Sequence, residues 1–199
     1  SKRSIANDPI QVPVYFNIIT QGSGFTNGEV TSKMIAKQIS VFKASYQGKF
    51  RFFLLGAYYT NNQGWFKDMS NVDVTAMGKK LRKGGANVMN VYTGTGIGGL
   101  AGLPHANSQT DISDGVRLCY NCMPGGNYSN GKVLVHEAGH WLGLLHTFQG
   151  GCNDPNGDWV SDTPTESDQV SSNSCPNGRD SCSKSPGLDP IHGVMVGLF

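Results

Sequence analysis

Apolar and polar residues alternate most clearly near the start of the chain, where Val12, Val14, Phe16 and Ile18 recur at every second position between Ile10 and Thr20 and predict a half-buried strand. The period then lengthens. Met34, Ile35, Ile39, Phe42 and Tyr46 fall on one face at helical spacing, and Thr31 stands where an N-cap belongs. Phe50 to Tyr59 returns to strand-forming residues, Asp73 caps a predicted short helix carrying Met77 and Leu81, and Ala86 to Thr93 reads as a third strand. Gly99 to Leu103 and Gly115 to Tyr120 are short runs bounded by turn residues, as edge or hairpin strands are. Lys132 to Leu145 reads as an apolar helix interrupted by histidine and glutamate. Strands alternating with helices give an α/β fold class. From Gly150 onward Gly, Asn, Asp, Ser and Pro dominate, so an irregular lobe of about fifty residues is expected, too polar to fold unless disulfides or metals hold it.

The length of 199 residues suits one folding unit with a dependent lobe. A net charge of +2 argues against nucleic acid as a partner, and the one tight basic cluster, Lys79, Lys80, Arg82 and Lys83, reads as a solvated helix face. No run approaches the ~18 consecutive apolar residues of a membrane span. Ser1-Lys2-Arg3 is not followed by the apolar core of a signal peptide, so any export signal is expected to have been removed. Five cysteines, three of them (Cys152, Cys175 and Cys182) in the helix-poor segment, point to disulfide stapling and an oxidising compartment, and so to a secreted protein. Cys119 and Cys122 form either a local disulfide or two free thiols. Gly94 to Gly99 fits a dinucleotide loop on paper but opens no helix, which excludes that reading.

The chemistry lies in His136-Glu137-Ala138-Gly139-His140-Trp141-Leu142-Gly143-Leu144-Leu145-His146. Residues four apart on a helix stack one turn above each other, so His136 and His140 can share one zinc ion, with Glu137 projecting beside it. Ten further residues of straight helix would carry His146 about 15 Å from His136 along the axis, too far to join them. Gly143 removes that obstacle, because glycine accepts the positive φ at which a helix ends and the chain turns back. These five fixed positions match by chance on the order of once in 10⁵ such chains, which sets aside a core helix with incidental histidines.

The spacing of His136, Glu137, His140, Gly143 and His146 resembles the metzincin signature. Gly150-Gly151-Cys152, Asp158, Asp162-Thr163-Pro164, Cys175-Pro176, Arg179-Asp180, Cys182 and Asp189-Pro190-Ile191-His192 resemble the segments that follow the zinc helix in the pappalysin, or cytophagalysin, family. The resemblance implies a twisted mixed sheet with a backing helix and an active-site helix in residues 1–146, and an irregular, disulfide-stapled, apparently truncated C-terminal lobe in 147–199. It implies a secreted zinc endopeptidase in which His136, His140 and His146 hold Zn²⁺ and Glu137 is the general base toward zinc-activated water. It also implies that Met195 forms a tight turn beneath the metal, that Cys152 pairs with Cys182, and that Gly99, Leu100, Ala101, Gly102 and Leu103 form the edge along which a peptide lies extended. His192 takes a structural role. Asp154, Asp158 and Asp162 either offer oxygens to Ca²⁺, as the resemblance implies, or form a solvated acidic loop; their order is not that of an EF-hand. Family members continue past the methionine with a Tyr and a further Cys, whereas here Val196-Gly197-Leu198-Phe199 follows. That departure sets beside the active protease an alternative, a zinc-bound, catalytically weak protein that binds peptides.

Overall fold

The computed structural model describes residues 8–104, 111–167, 177–184, 187–191 and 193–196. Cys175, His192 and residues 197–199, about which the sequence raised expectations, lie outside the described residues. The chain divides after Trp141 into two compact units.

The first unit is built on a five-stranded mixed sheet. Its strands are β1 (Ile10–Thr20), β2 (Phe50–Asn61), β3 (Met89–Gly94), β4 (Gly99–Ala101) and β5 (Val116–Cys119), in the order β2-β1-β3-β5-β4. β1 runs parallel to both β2 and β3, β3 runs parallel to β5, and β4 is antiparallel to β5 at the edge. The helices are α1 (Ser32–Ser45), α2 (Gln63–Lys67), α3 (Val74–Leu81) and α4 (Lys132–Trp141). No described helix is long and apolar enough to cross a membrane.

β1 departs from the half-buried strand its alternation predicts. The neighbours Ile18 and Ile19, which point to opposite faces, are both 0% exposed. The reason is its place between two parallel partners, where helices cover both faces of the sheet. On one face Phe42 of α1 stacks on Phe52 of β2 with ring centroids 4.3 Å apart. On the other, Ile19 and Tyr92 pack with Phe66 and Met69 and with Met77 and Leu81 of α3. α2 has no signal in the hydrophobic pattern, because a single turn carries too little periodicity, although Asn62 caps it by accepting the Trp65 N–H at 3.1 Å.

The predicted caps of α1 and α3 form, with Thr31 accepting from the Met34 N–H at 3.3 Å and Asp73 from the Ala76 N–H at 2.9 Å. α1 is the backing helix. Its fully buried Gln38 donates to the carbonyl of Gly131, just before α4, at 3.1 Å, and Tyr46 donates its hydroxyl to the Val135 carbonyl within α4 at 2.7 Å.

The basic cluster is not a uniformly solvated face. The Arg82 side chain is 8% exposed, lies 2.9 Å from Asp114, and donates to the carbonyls of Gly84 and Gly85 at 2.7 and 3.2 Å. Lys80 and Lys83 lie over the rings of Trp65 and Tyr58. The guanidinium fork suits the two carbonyls and the carboxylate together, a demand invisible in a count of charges.

Gly78 in α3 reverses a familiar rule. Helical Gly→Ala exchanges normally stabilise by up to about 1 kcal/mol. Here a Cβ would lie 1.9 Å from the Ile112 carbonyl oxygen, so backbone must move. Gly78→Ala is expected to destabilise by about 1–3 kcal/mol, as overpacking does. Denaturant unfolding checks this, and an unchanged or raised midpoint would refute it.

The second unit has no α-helix or strand among its described residues, in line with the irregular lobe predicted. Cys152 and Cys182 are joined by a disulfide. A buried ion cluster accompanies it: the Arg179 guanidinium lies 2.8 Å from Glu166 and 3.0 Å from Asp189, whose side chains are both fully shielded from solvent. Ile191, Met195 and Val196 supply the small apolar core.

Candidate metal centre

α4 is buried from Val133 to Gly139, so His136 and Glu137 enter the site from a helix set in the core. They are 5% and 6% exposed. The helix ends at Trp141 rather than at Leu145 as its apolar run suggested. Gly143 takes φ 99°, a backbone conformation that a helix cannot contain and that side chains with a Cβ resist. Leu142, Leu144 and Leu145 continue the apolar pattern past Trp141, but backbone geometry at Gly143 ends the helix before they can join it.

The reversal brings the three histidines of this one short stretch together, with ligand nitrogens of His136, His140 and His146 all within 4.8 Å of one another. Among the described residues, this is the group of His, Cys, Asp or Glu side chains placed to hold a metal ion. The Nε2 atoms of His136 and His140 are 3.0 Å apart, and their rings stand perpendicular at 89°. Tetrahedral zinc with bonds of about 2.0–2.1 Å needs nitrogens about 3.3 Å apart, so this pair is set near one edge of such a tetrahedron. His146 stacks on Phe148 with centroids 4.7 Å apart, and its carbonyl accepts the Gln149 N–H at 3.0 Å. Three imidazoles suit zinc by donor type as well as by spacing.

Glu137 sits against β4. A Cβ on Gly99 would fall 2.5 Å from Glu137 Oε1, so the absence of a side chain at Gly99 is what lets the strand lie on the carboxylate. Burial pushes the Glu137 carboxyl up to about 7, opposed by a hydrogen bond from the Ala101 backbone. In the zinc-free protein this links stability to pH. The folded-state value exceeds the usual 4.5, so the native protein holds the proton more tightly, and the associated stability, present below about 4.5, is lost as pH rises toward about 7. The loss is about 3 kcal/mol at most. Urea unfolding of zinc-free wild type and Glu137→Gln at about pH 5 and about pH 8 isolates it, because the histidines are common to both. Parallel pH dependences in the two proteins would sink the assignment.

Gly99 to Ala101 form β4, while Gly102 and Leu103 lie beyond its end, outside the ladder. Leu100 and Leu103 are exposed. Met195 lies in a 3-10 turn, Val194–Val196, is 7% exposed, and its carbonyl accepts the Thr147 N–H at 3.2 Å. Cys119 and Cys122 form the local disulfide, the first of the two alternatives left open for that pair. Calcium at Asp154, Asp158 and Asp162 finds no support: these carboxylates do not gather into one group close enough to share an ion. Asp154 instead accepts the Asn156 N–H at 2.9 Å and Asp158 the Val160 N–H at 3.0 Å, the local turns such side chains form with their own backbone.

Two features escaped the sequence reading. Asp114 accepts the Trp141 indole N–H at 2.9 Å and pairs with Arg82 through its other oxygen, which fixes the end of α4. Thr147 donates its hydroxyl to Glu166 at 2.8 Å. Neither has a signal in sequence, since the partners of Trp141 and Thr147 lie 27 and 19 residues away.

Residues 85–186 match the peptidase M43 family, described as pregnancy-associated plasma protein-A. The chain is 42% identical over 200 residues to an extracellular metalloprotease of Sordaria macrospora, covering 96% of this chain and 68% of that protein. Its identity to an extracellular metalloprotease of Neurospora crassa is 41%, with the same coverage of 96% and 68%. Mature mirolysin of Tannerella forsythia, solved in complex with a cleaved peptide, superposes with a TM-score of 0.72 at 19% identity, over 94% of this chain and 83% of that one. A promirolysin variant gives 0.76 at 19% identity, over 97% and 75%. At these identities the structural likeness concerns the fold, a mixed sheet with helices of the metzincin kind.

Proposed function

Since this chain belongs to the peptidase M43, or pappalysin, family of metzincins and is an extracellular zinc metalloprotease, we propose that Glu137 is its general base and that it cleaves peptides held extended along β4. Zinc on three neutral imidazoles supplies Lewis acidity toward water and the peptide carbonyl. His136, His140 and His146 would hold the ion. The remaining work falls to the chain's own groups.

The observation that carries this reading is the placing of Glu137 next to His136 on a buried helix, with its carboxylate against Gly99 of β4. A carboxylate placed there can accept a proton from the attacking water and return it to the leaving amine. The Ala101 backbone hydrogen bond fixes the carboxylate at the strand where the substrate is proposed to lie. β4 pairs with β5 on one side at the end of the sheet order, which leaves an edge for a peptide to extend the sheet by main-chain bonds with little demand on sequence. Met195 is assigned the turn behind the third histidine, supported by the bond from the Thr147 N–H.

Incubation of the zinc-loaded protein with an unfolded protein substrate tests the reading. Cleavage is expected, lost on adding a zinc chelator and restored by zinc. Cleavage indifferent to the chelator, or none from fully zinc-loaded protein, would overturn it.

A further inference from the structure

We propose that Thr147 and Glu166 are positioning residues for the third zinc ligand, His146, made rigid by the buried Glu166, Arg179 and Asp189 cluster; this rests on the metalloprotease reading above. His136 and His140 are held by a helix, where hydrogen bonding along the backbone fixes side-chain direction. His146 follows a positive-φ glycine beyond the helix end and has no such support. Its place must come from contacts outside the helix: its ring stacks on Phe148, and its main chain is tied down through the next residue. The Thr147 N–H reaches the Met195 carbonyl at 3.2 Å, and the Thr147 hydroxyl reaches Glu166 Oε2 at 2.8 Å. Both ends of the peptide unit that carries His146 into Thr147 are thereby pinned, since the His146 carbonyl accepts from Gln149.

Glu166 is a firm anchor. It is 1% exposed, its other oxygen takes the Arg179 guanidinium at 2.8 Å, and Arg179 is held in turn by Asp189 at 3.0 Å. Asp189 also accepts the Ser181 N–H at 3.2 Å and donates its own N–H to the Arg179 carbonyl at 2.9 Å. One guanidinium serves two buried carboxylates, so the Thr147 hydroxyl is the donor that satisfies the second oxygen of Glu166. A buried carboxylate oxygen without a donor carries its full desolvation cost, which gives the hydroxyl a strict preference for this orientation. The cluster therefore converts a geometric need at the metal into a hydrogen-bonding need away from it, as supporting groups around metal ligands do.

Titration of the full chain with zinc against a chromophoric chelator, and the visible spectrum of the cobalt-loaded protein, test the proposal. Thr147→Val keeps the shape and removes the hydroxyl. It is expected to weaken zinc about ten-fold or more and to alter the cobalt bands. Thr147→Ser, which restores the hydroxyl, is expected to bind within about two-fold of wild type with an unchanged spectrum. A merely structural hydroxyl would lower stability in Thr147→Val without moving the cobalt bands, and that result would overturn the proposal. Should Thr147→Val fail to fold, Glu166→Gln replaces it: at least about three-fold weaker zinc is expected, and wild-type affinity would overturn the proposal. Absence of zinc binding in wild type would instead remove the metalloprotease reading itself.

Discussion

Glu137→Gln is expected to keep zinc and lose peptide hydrolysis by at least about a hundred-fold, the lower end of what a positioned general base contributes. The exchange is close to isosteric, and the amide oxygen can still accept from the Ala101 backbone, so the packing of β4 on α4 is retained. His136, His140 and His146 are untouched, so their zinc affinity should stay within a few-fold of wild type. What disappears is a carboxylate able to take and return a proton. Metal content of the purified variant, set beside its initial rate on an unfolded protein substrate, separates the two effects. Wild-type turnover would remove Glu137 from the mechanism, while loss of zinc along with activity would make it a residue of the metal site's structure.

The second large effect is expected at Gly143. At φ 99° a β-branched side chain meets the backbone, and Gly143→Val has to move the chain toward negative φ. The strain is about 1–3 kcal/mol if the conformation holds. If it relaxes, the turn that gathers His146 with His136 and His140 opens. Zinc affinity should fall at least about ten-fold, with α4 still formed because Lys132–Trp141 ends before the substitution. Chelator competition and far-ultraviolet circular dichroism check the two halves of this expectation. Unchanged zinc affinity would mean that the glycine turn does not place His146.

These two residues also show where sequence reasoning reaches furthest. The paired histidines and Glu137 are legible because a helix converts a spacing of four into a shared face without help from the rest of the protein. Gly143 is legible because the alternative, a continuous helix, is geometrically impossible for His146. The caps at Thr31 and Asp73 are similarly local, each side chain reaching a backbone N–H three residues on.

The reading weakens wherever a residue's partner lies far along the chain. The alternation in β1 reports two faces but not that both are covered, which depends on α2 and α3 packing where Ile19 points. The charge of Arg82 suggested solvent, yet Asp114 and two carbonyls hold it.

By itself, then, the sequence determined the alternation of strands and helices, the histidine spacing, the glutamate beside them and the turn that ends their helix. Each of these is set by bond geometry within a few residues. Tertiary structure decided the order β2-β1-β3-β5-β4, the seating of Glu137 against Gly99 and Ala101, and the anchoring of Thr147 on Glu166. Those depend on which distant groups are buried together, because a hydrogen bond or a charge gains its strength from the water excluded around it.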